Sequence, residues 1–276
     1  MTSPGEKKQL SILTFNTFGT PLFAPDITKR YHYIAREINN GPYDVVCLQE
    51  LFSYYNFYLF KKRLKKFPYV SYHKNILGPR GGLAIFSKYP LTQQEFLKYS
   101  FPGGAAVPFY TKIAQPGLLS CTIKDFSLRI GTTHLSSDLV HKLTPKDKLY
   151  KLIKSQSQEA AAQVNRYAEK FDTTLLMGDF NIAKHSELYT SFLAQTQTKD
   201  LFANDELKTY YRDRFNYIYT AYNSERIDYM FLKTATNKLK ITKTEHVLRE
   251  PVTFADGKKS YLSDHIGLHC ILRVNN

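Results

Sequence analysis

The stretch YDVVCLQE, residues 43–50, reads as a short buried strand that is closed by a carboxylate. Its apolar run is short and continuous, as in a strand covered on both faces. The same arrangement recurs along the chain. LSILTFN (10–16) is a buried strand ending in Asn16, and LRIGTTHL (128–135) carries His134 near its end. TTLLM (173–177) runs into Gly178-Asp179-Phe180-Asn181, RIDYMFL (226–232) opens on Arg226 and Asp228, and GLHCILRV (267–274) follows Ser263-Asp264-His265. GLAIFSK (82–88) and LLSCTI (118–123) are further strands.

Helical periodicity appears between these runs. Ile27, Tyr31, Ile34 and Ile38 share one helical face, with Asp26 as the expected N-cap and Gly41 past the end. Ser53 is the expected cap of a second helix carrying Phe57, Phe60, Leu64 and Phe67. Thr144-Pro145 predicts the start of a third helix, cap followed by first-turn proline, running to about Phe171. Two halves of strands and helices, each with polar residues at strand tips, predict a layered α/β (α+β) sandwich. Two sheets would face each other with helices outside, and the strand ends are where such a fold places its chemistry.

A chain of 276 residues is long enough for one large core. With no repeat, low-complexity tract or Pro/Gly/Ser linker, the expectation is a tail over 1–9 and a single domain over 10–276. Hydrophobic residues at 43% and charged residues at 22% exclude disorder as the main state. The 21 Tyr and 19 Phe favour strands. A formal charge of +14 attracts polyanions: nucleic acid, an anionic membrane surface or a phosphorylated substrate. It also serves solubility, and does not choose among these. Cys47, Cys121 and Cys270 each sit in an apolar run, without zinc spacing, and read as small core hydrophobes. MTSPGEKKQL has no signal-peptide character, and no apolar run is long enough to span a bilayer. The expected location is cytoplasmic, or that of a secreted form already trimmed.

Each polar motif has an ordinary explanation when taken alone. Glu50 can be a solvated edge residue, His134 a structural histidine, and GDFN a turn. RIDY can be a surface strand with an ion pair, and SDH a helix cap. Their joint occurrence in this order, on these element types, is what carries information. The ordered set, from Asn16 in TFNTFG through Gln49-Glu50, Thr133-His134-Leu135, GDFN and RIDY to SDH, resembles the endonuclease/exonuclease/phosphatase superfamily over about residues 10–274. GGLAIFSKYP (81–90) is similar to a recurring strand of that group.

The resemblance implies a DNase I-like, four-layered α/β sandwich and a metal-dependent phosphodiesterase. It implies Mg²⁺, held by Glu50, Asn16 and Asp264, and leaves open whether Mn²⁺ or Ca²⁺ can replace it, because oxygen ligands accept several hard cations. It implies His265 as the general base with Asp228 orienting its ring. Asp179 would orient the nucleophile, and Asn181 and His134 would donate hydrogen bonds to the phosphoryl oxygens as charge builds. His32, His73, His141, His185, His246 and His269 match no motif and read as structural or surface residues.

The substrate is less sharply indicated. FNTFGTP, YDVVCLQELFSYYNFYLFKKRL and GGLAIFSKYP are most similar to neutral sphingomyelinases and related phospholipid phosphodiesterases. RIDY stands where inositol-phosphate phosphatases carry a WCDR-type motif, and SDHIG lacks the proline usual in abasic-site endonucleases. Two departures bear on the headgroup: Ser136-Ser137-Asp138 follows His134, and Gln115-Pro116-Gly117 replaces a common Lys-Gly. FPGGAAVPFY (101–110) reads either as a buried loop or as a loop that dips into a membrane interface. Lys61, Lys62, Arg63, Lys65 and Lys66, and then Lys146, Lys148, Lys151 and Lys154, read as solvated faces or as grips on lipid or DNA phosphates. The leading expectation is a monomeric phospholipid phosphodiesterase that works at a membrane surface, with no protein partner. A nuclease with the same residues comes second, and an inactive binding module third.

Overall fold

Alternate side chains of the first strand, β1 (Gln9–Asn16), point to different layers. Leu10 and Ile12 enter one core, while Leu13 and Phe15 enter another. This period-2 division repeats in β2 (Val45–Gln49): Val45 and Cys47 join the first core, Val46 and Leu48 the second. The computed structural model describes residues 8–21, 24–101, 115–137, 144–215, 224–236 and 238–275.

One six-stranded sheet has the order β11 (Leu239–Val247), β14 (Gly267–Val274), β1, β2, β4 (Ala84–Ser87), β3 (Tyr69–Ser71). The other runs β5 (Leu91–Lys98), β6 (Gly117–Ile123), β7 (Leu128–His134), β8 (Thr173–Asp179), β10 (Asp228–Thr234), β9 (Lys199–Asp200). A two-stranded ribbon, β12 (Val252–Thr253) with β13 (Lys259–Ser260), lies outside both sheets. Each large sheet is mixed. Its central pair is parallel, β1 with β2 and β7 with β8, and the other pairings are antiparallel.

A parallel pair needs a crossover, and helices supply it. Helix α1 (Ile27–Asn40) links β1 to β2, and α3 (Lys148–Ala168) lies between β7 and β8. Helices α2 (Tyr54–Arg63) and α4 (Glu187–Thr196) complete the outer layers. Three apolar cores follow. One joins the facing sheets and includes all three cysteines; the second lies under α1 and α2; the third lies under α3 and α4. The result is the four-layered sandwich expected, with helix, sheet, sheet and helix in turn. Each fully buried Leu, Ile or Phe contributes about 1.5–3 kcal/mol. Burial pushes the Cys121 and Cys270 thiols up to about 12, so all three cysteines behave as apolar filler.

Several local expectations hold and others need correction. Ser53 caps α2, its hydroxyl accepting from the Asn56 amide. Leu64 and Phe67 are buried, but past the last residue of that helix. Asp26 occupies the N-cap position of α1 in a left-handed conformation (φ 48°), and its side chain caps nothing. The third helix begins at Lys148 rather than at Pro145, because the Asp147 carboxylate accepts from the Thr144 amide and hydroxyl and closes a turn first. It ends at Ala168, with Phe171 held by a turn to the Tyr167 carbonyl. The 101–110 loop lies outside the described residues beyond Phe101, as do Asp138 and His141. Among the described residues, no helix is long and apolar enough to cross a membrane.

Candidate active site

The topology collects polar residues at one edge of both sheets. The two parallel pairs end there, at Asn16 beside Gln49 and at His134 beside Asp179. Strand β10 is antiparallel to β8, so its first residue, Asp228, stands opposite Asp179. The segment Ser263-Asp264-His265 arrives at the same edge just before β14, which is antiparallel to β1.

Glu50 follows β2 in a left-handed conformation (φ 64°), which costs a non-glycine residue about 1–2 kcal/mol. That conformation turns its carboxylate towards three donors. Oε1 accepts from Asn16 Nδ2 at 3.0 Å; Oε2 accepts from the Gly19 amide at 3.0 Å and from Thr20 Oγ1 at 2.6 Å. Gly19 has to be glycine here, since a Cβ would lie 2.1 Å from the Glu50 carbonyl oxygen. Burial raises the Glu50 carboxyl, but His134, the Thr20 and Asn16 hydrogen bonds and His265 outweigh it, and the group is held below the usual glutamate range.

Asn16 ties the two sheets together. Its amide nitrogen donates to Glu50 and also to Asp179 Oδ2 at 2.9 Å, and the residue is wholly buried. Asp179 accepts from the Asn181 amide at 2.9 Å. Its Oδ2 lies 3.6 Å from His134 Nε2 and 3.7 Å from His265 Nε2. Gly178 places it: with φ 131°, a Cβ at that position would meet the Thr133 carbonyl at 2.1 Å. Burial, then the neighbouring Asp228, push Asp179 up to about 6 against the pull of the two histidines.

His265 donates through Nδ1 to Asp228 Oδ2 at 2.8 Å, which leaves Nε2 facing Asp179 and, at 3.9 Å, Asp264 Oδ1. Burial lowers the imidazole, but Asp228, Asp264 and Asp179 together raise it to about 10. Ser263 Oγ donates to the Asn16 carbonyl at 2.8 Å and accepts from the His265 amide, so the loop is stitched to β1. Asn181, left-handed at φ 49°, donates its side-chain amide to the Leu135 carbonyl at 3.0 Å.

The structure thus joins all eight residues singled out in the sequence (Asn16, Glu50, His134, Asp179, Asn181, Asp228, Asp264 and His265) through contacts of 2.8–3.9 Å. Among the described residues the other histidines stand apart: His269 bonds Ser11, His246 faces Asp205, and His185 faces Glu206. Sequence reasoning missed the residues that aim the cluster. Gln49 donates to Thr14 and Thr132 and so bridges the sheets; Thr209 Oγ1 accepts from the Ile227 and Asp228 amides. Buried Arg30 donates to the carbonyls of Thr17, Phe18 and Leu262, pinning two loops of the site. Gln49 was visible beside Glu50, whereas nothing local marks Thr209 or Arg30.

Four carboxylates, of Glu50, Asp179, Asp228 and Asp264, are buried within this cluster. Nearby Arg226 is occupied by Asp200, and Arg214 by the carbonyls of Ser263 and His265. Two triplets, Glu50-His134-Asp179 and Asp179-Asp228-His265, have ligand atoms within 4.8 Å of one another. Anionic crowding of this kind, in an oxygen-rich set, fits a hard divalent cation.

The profile of the Endonuclease/Exonuclease/phosphatase family matches residues 13–265. A Caenorhabditis elegans protein provisionally named a neutral sphingomyelinase is 25% identical, over 98% of this chain and 68% of that protein, so the chain spans about two thirds of its relative. Among solved structures, sphingomyelinase C from Streptomyces griseocarneus aligns with a TM-score of 0.65 at 21% identity, covering 97% of this chain and 100% of the other. TDP2 from D. rerio, complexed with a single-strand DNA product, aligns with a TM-score of 0.70 at 17% identity, covering 97% and 99%. At these identities the two structures speak for the fold.

Proposed function

The chain belongs to the endonuclease/exonuclease/phosphatase family, and from that premise we propose that it is a metal-dependent phosphodiesterase that releases a phosphorylated headgroup from a phospholipid of the sphingomyelin type. The observation that carries the chemistry is the His265–Asp228 pair set against Asp179, Asn16 and Glu50 at one sheet edge. What supports the lipid is sequence likeness to a sphingomyelinase-named relative along nearly the whole chain.

In this reading Asp228 holds the proton on Nδ1 and orients the ring, so that Nε2 takes the proton of the attacking water. Asp179 accepts from that water and positions it. Asn181 and His134 donate to the phosphoryl oxygens. Glu50, Asn16 and Asp264 would hold the divalent cation, Mg²⁺ foremost, which supplies charge neutralisation at the phosphoryl group. Three carboxylates raise the imidazole's affinity for that proton, and the positive charge of a cation in the cluster would lower it again. Glu50 remains ionised and ready for that charge.

A nuclease is the second reading, supported by the net charge of +14 and the fold shared with a protein solved in complex with a single-strand DNA product. The test is phosphocholine release from sphingomyelin vesicles with Mg²⁺, with EDTA, and with the His265→Ala protein, alongside nicking of plasmid DNA. Metal-dependent release that the substitution abolishes supports the proposal. DNA nicking without release would move the protein to the nuclease branch.

A further inference from the structure

Among the described residues, the large hydrophobic side chains left exposed all fall between positions 55 and 77: Tyr55 (69%), Tyr58 (52%), Tyr69 (41%), Ile76 (87%) and Leu77 (60%). Scattered exposed apolar residues are ordinary, but their concentration in one stretch is not. Four of them come together. The loop after β3 folds onto the start of α2, with the Tyr54 amide donating to the Leu77 carbonyl at 2.9 Å and the Tyr54 hydroxyl to the Asn75 carbonyl at 2.8 Å. Tyr58 stacks on Tyr54 one helical turn along. Tyr69 sits at the other end of β3 and is not part of this group.

The group adjoins the site. Phe52, two residues past Glu50, lies with its ring 6.3 Å from that of His134. The Leu51 amide donates to the Gly82 carbonyl at 2.9 Å, and Gly78 approaches the Phe52 carbonyl too closely to accept a Cβ. A surface resting on this loop would therefore lie close to Glu50 and His134.

Charge selects the occupant. Between Glu50 and Glu95 the chain has no acidic residue but eight basic ones. Lys61, Lys62, Lys65 and Lys66 are exposed on and just past α2, and Lys74 stands beside the loop tip. Nucleic acid would neutralise the lysines but offers nothing to bury bare aliphatic groups such as Ile76 and Leu77. An anionic bilayer accepts both: aliphatic side chains enter the acyl boundary, tyrosines sit at the headgroups, and lysines face the anionic lipid.

We propose that Ile76 and Leu77, with Tyr55, Tyr58 and the α2 lysines, form a membrane-docking surface that seats the site on an anionic phospholipid bilayer. It rests on the lipid reading of the same site, and it is measured separately from turnover. Binding is followed by sedimentation with phosphatidylcholine vesicles, with and without phosphatidylserine and free of sphingomyelin. Turnover is followed on a water-soluble short-chain phosphocholine diester.

The Ile76→Ser/Leu77→Ser protein should bind phosphatidylserine vesicles at least about tenfold more weakly, with turnover of the soluble diester within about twofold of the parent. Each of Lys61→Gln and Lys62→Gln should cost about fivefold on phosphatidylserine vesicles and little without that lipid. The chain contains no tryptophan, so Leu77→Trp introduces a single reporter whose emission should shift to the blue on adding vesicles. Undiminished sedimentation of the double variant, an unmoved Leu77→Trp emission, or retention on DNA in place of vesicles would each overturn the docking surface. Absence of turnover on the soluble diester, with vesicle binding intact, would instead count against the catalytic reading.

Discussion

The two parallel crossovers, β1-α1-β2 and β7-α3-β8, have the same topology and deliver a carboxylate to the same edge, yet those carboxylates are shifted in opposite directions. Glu50, after the first, is held below the glutamate range; Asp179, at the end of the second, is pushed up to about 6. Both are buried, so desolvation does not separate them. Their partners do. Glu50 has His134 beside it and accepts from Thr20 and Asn16, whereas Asp179 faces another carboxylate, Asp228, across the β8–β10 register. A strand end thus holds a carboxylate that ionises readily or one that keeps its proton longer, according to what the adjoining loop and strand supply.

Substitutions can break this contrast. The largest effect is expected from His265→Ala, which removes the group that both Asp179 and Asp228 serve; hydrolysis should fall by more than about a thousandfold in a purified, folded protein. Near-normal turnover would sink the proposed base. Asn181→Ala, in the loop that steadies Asp179, should cost about 2.7–4 kcal/mol of barrier, roughly a hundred- to a thousandfold in kcat. An effect confined to KM would show that Asn181 acts on substrate binding alone. Thr20→Ala removes one donor from Glu50 only. The carboxyl should rise towards its ordinary value and Mg²⁺ affinity should drop about five- to tenfold, with kcat recovered at high Mg²⁺; isothermal titration gives the number, and unchanged affinity would detach Thr20 from the metal site.

The most delicate comparison is of titration. In metal-free protein the His265 ring should keep its proton well above pH 8, read from its imidazole NMR resonances, and Mg²⁺ should move the midpoint down. A midpoint at the ordinary 6.5 without metal would show that the carboxylates do not act on the ring as the geometry requires. Because the folded value lies above the unfolded one, the stability this group contributes is complete below about pH 6.5 and is lost as pH rises towards 10.

What was legible in the sequence had a local signature. Buried strands show as short apolar runs, and β1, β2, β4, β6, β7, β8, β10 and β14 were found within a few residues of their ends. The strands that were missed in the two large sheets, β3, β5, β9 and β11, lie at sheet edges, and the β12–β13 ribbon was missed as well. LTQQEFLK and LKITKTEHV are largely exposed and leave no apolar run to read. Helix α4 also went unpredicted, although Ser186 caps it and Leu188, Phe192 and Thr196 are buried at helical spacing. Among site residues, those that close strands were visible because a polar side chain after an apolar run stands out. Thr209 lies in a loop, and Arg30 points from an otherwise ordinary helix; each acts by bonding a distant backbone group.

By itself the sequence determined the buried strands and three of the four helices, which polar residues sit at the strand tips, and which family the ordered set resembles. These properties are written in neighbouring residues, through the alternation of apolar side chains and the chemistry of caps and turns. Only the tertiary structure decided that residues 16 and 179 share a hydrogen bond, that Asp228 lies opposite Asp179, and that His265 meets both carboxylates. Those facts depend on strand order, on parallel pairing across a crossover and on two sheets packing face to face. Each is a contact between segments more than thirty residues apart, and the free energy that selects it belongs to the assembled core rather than to any one stretch of chain.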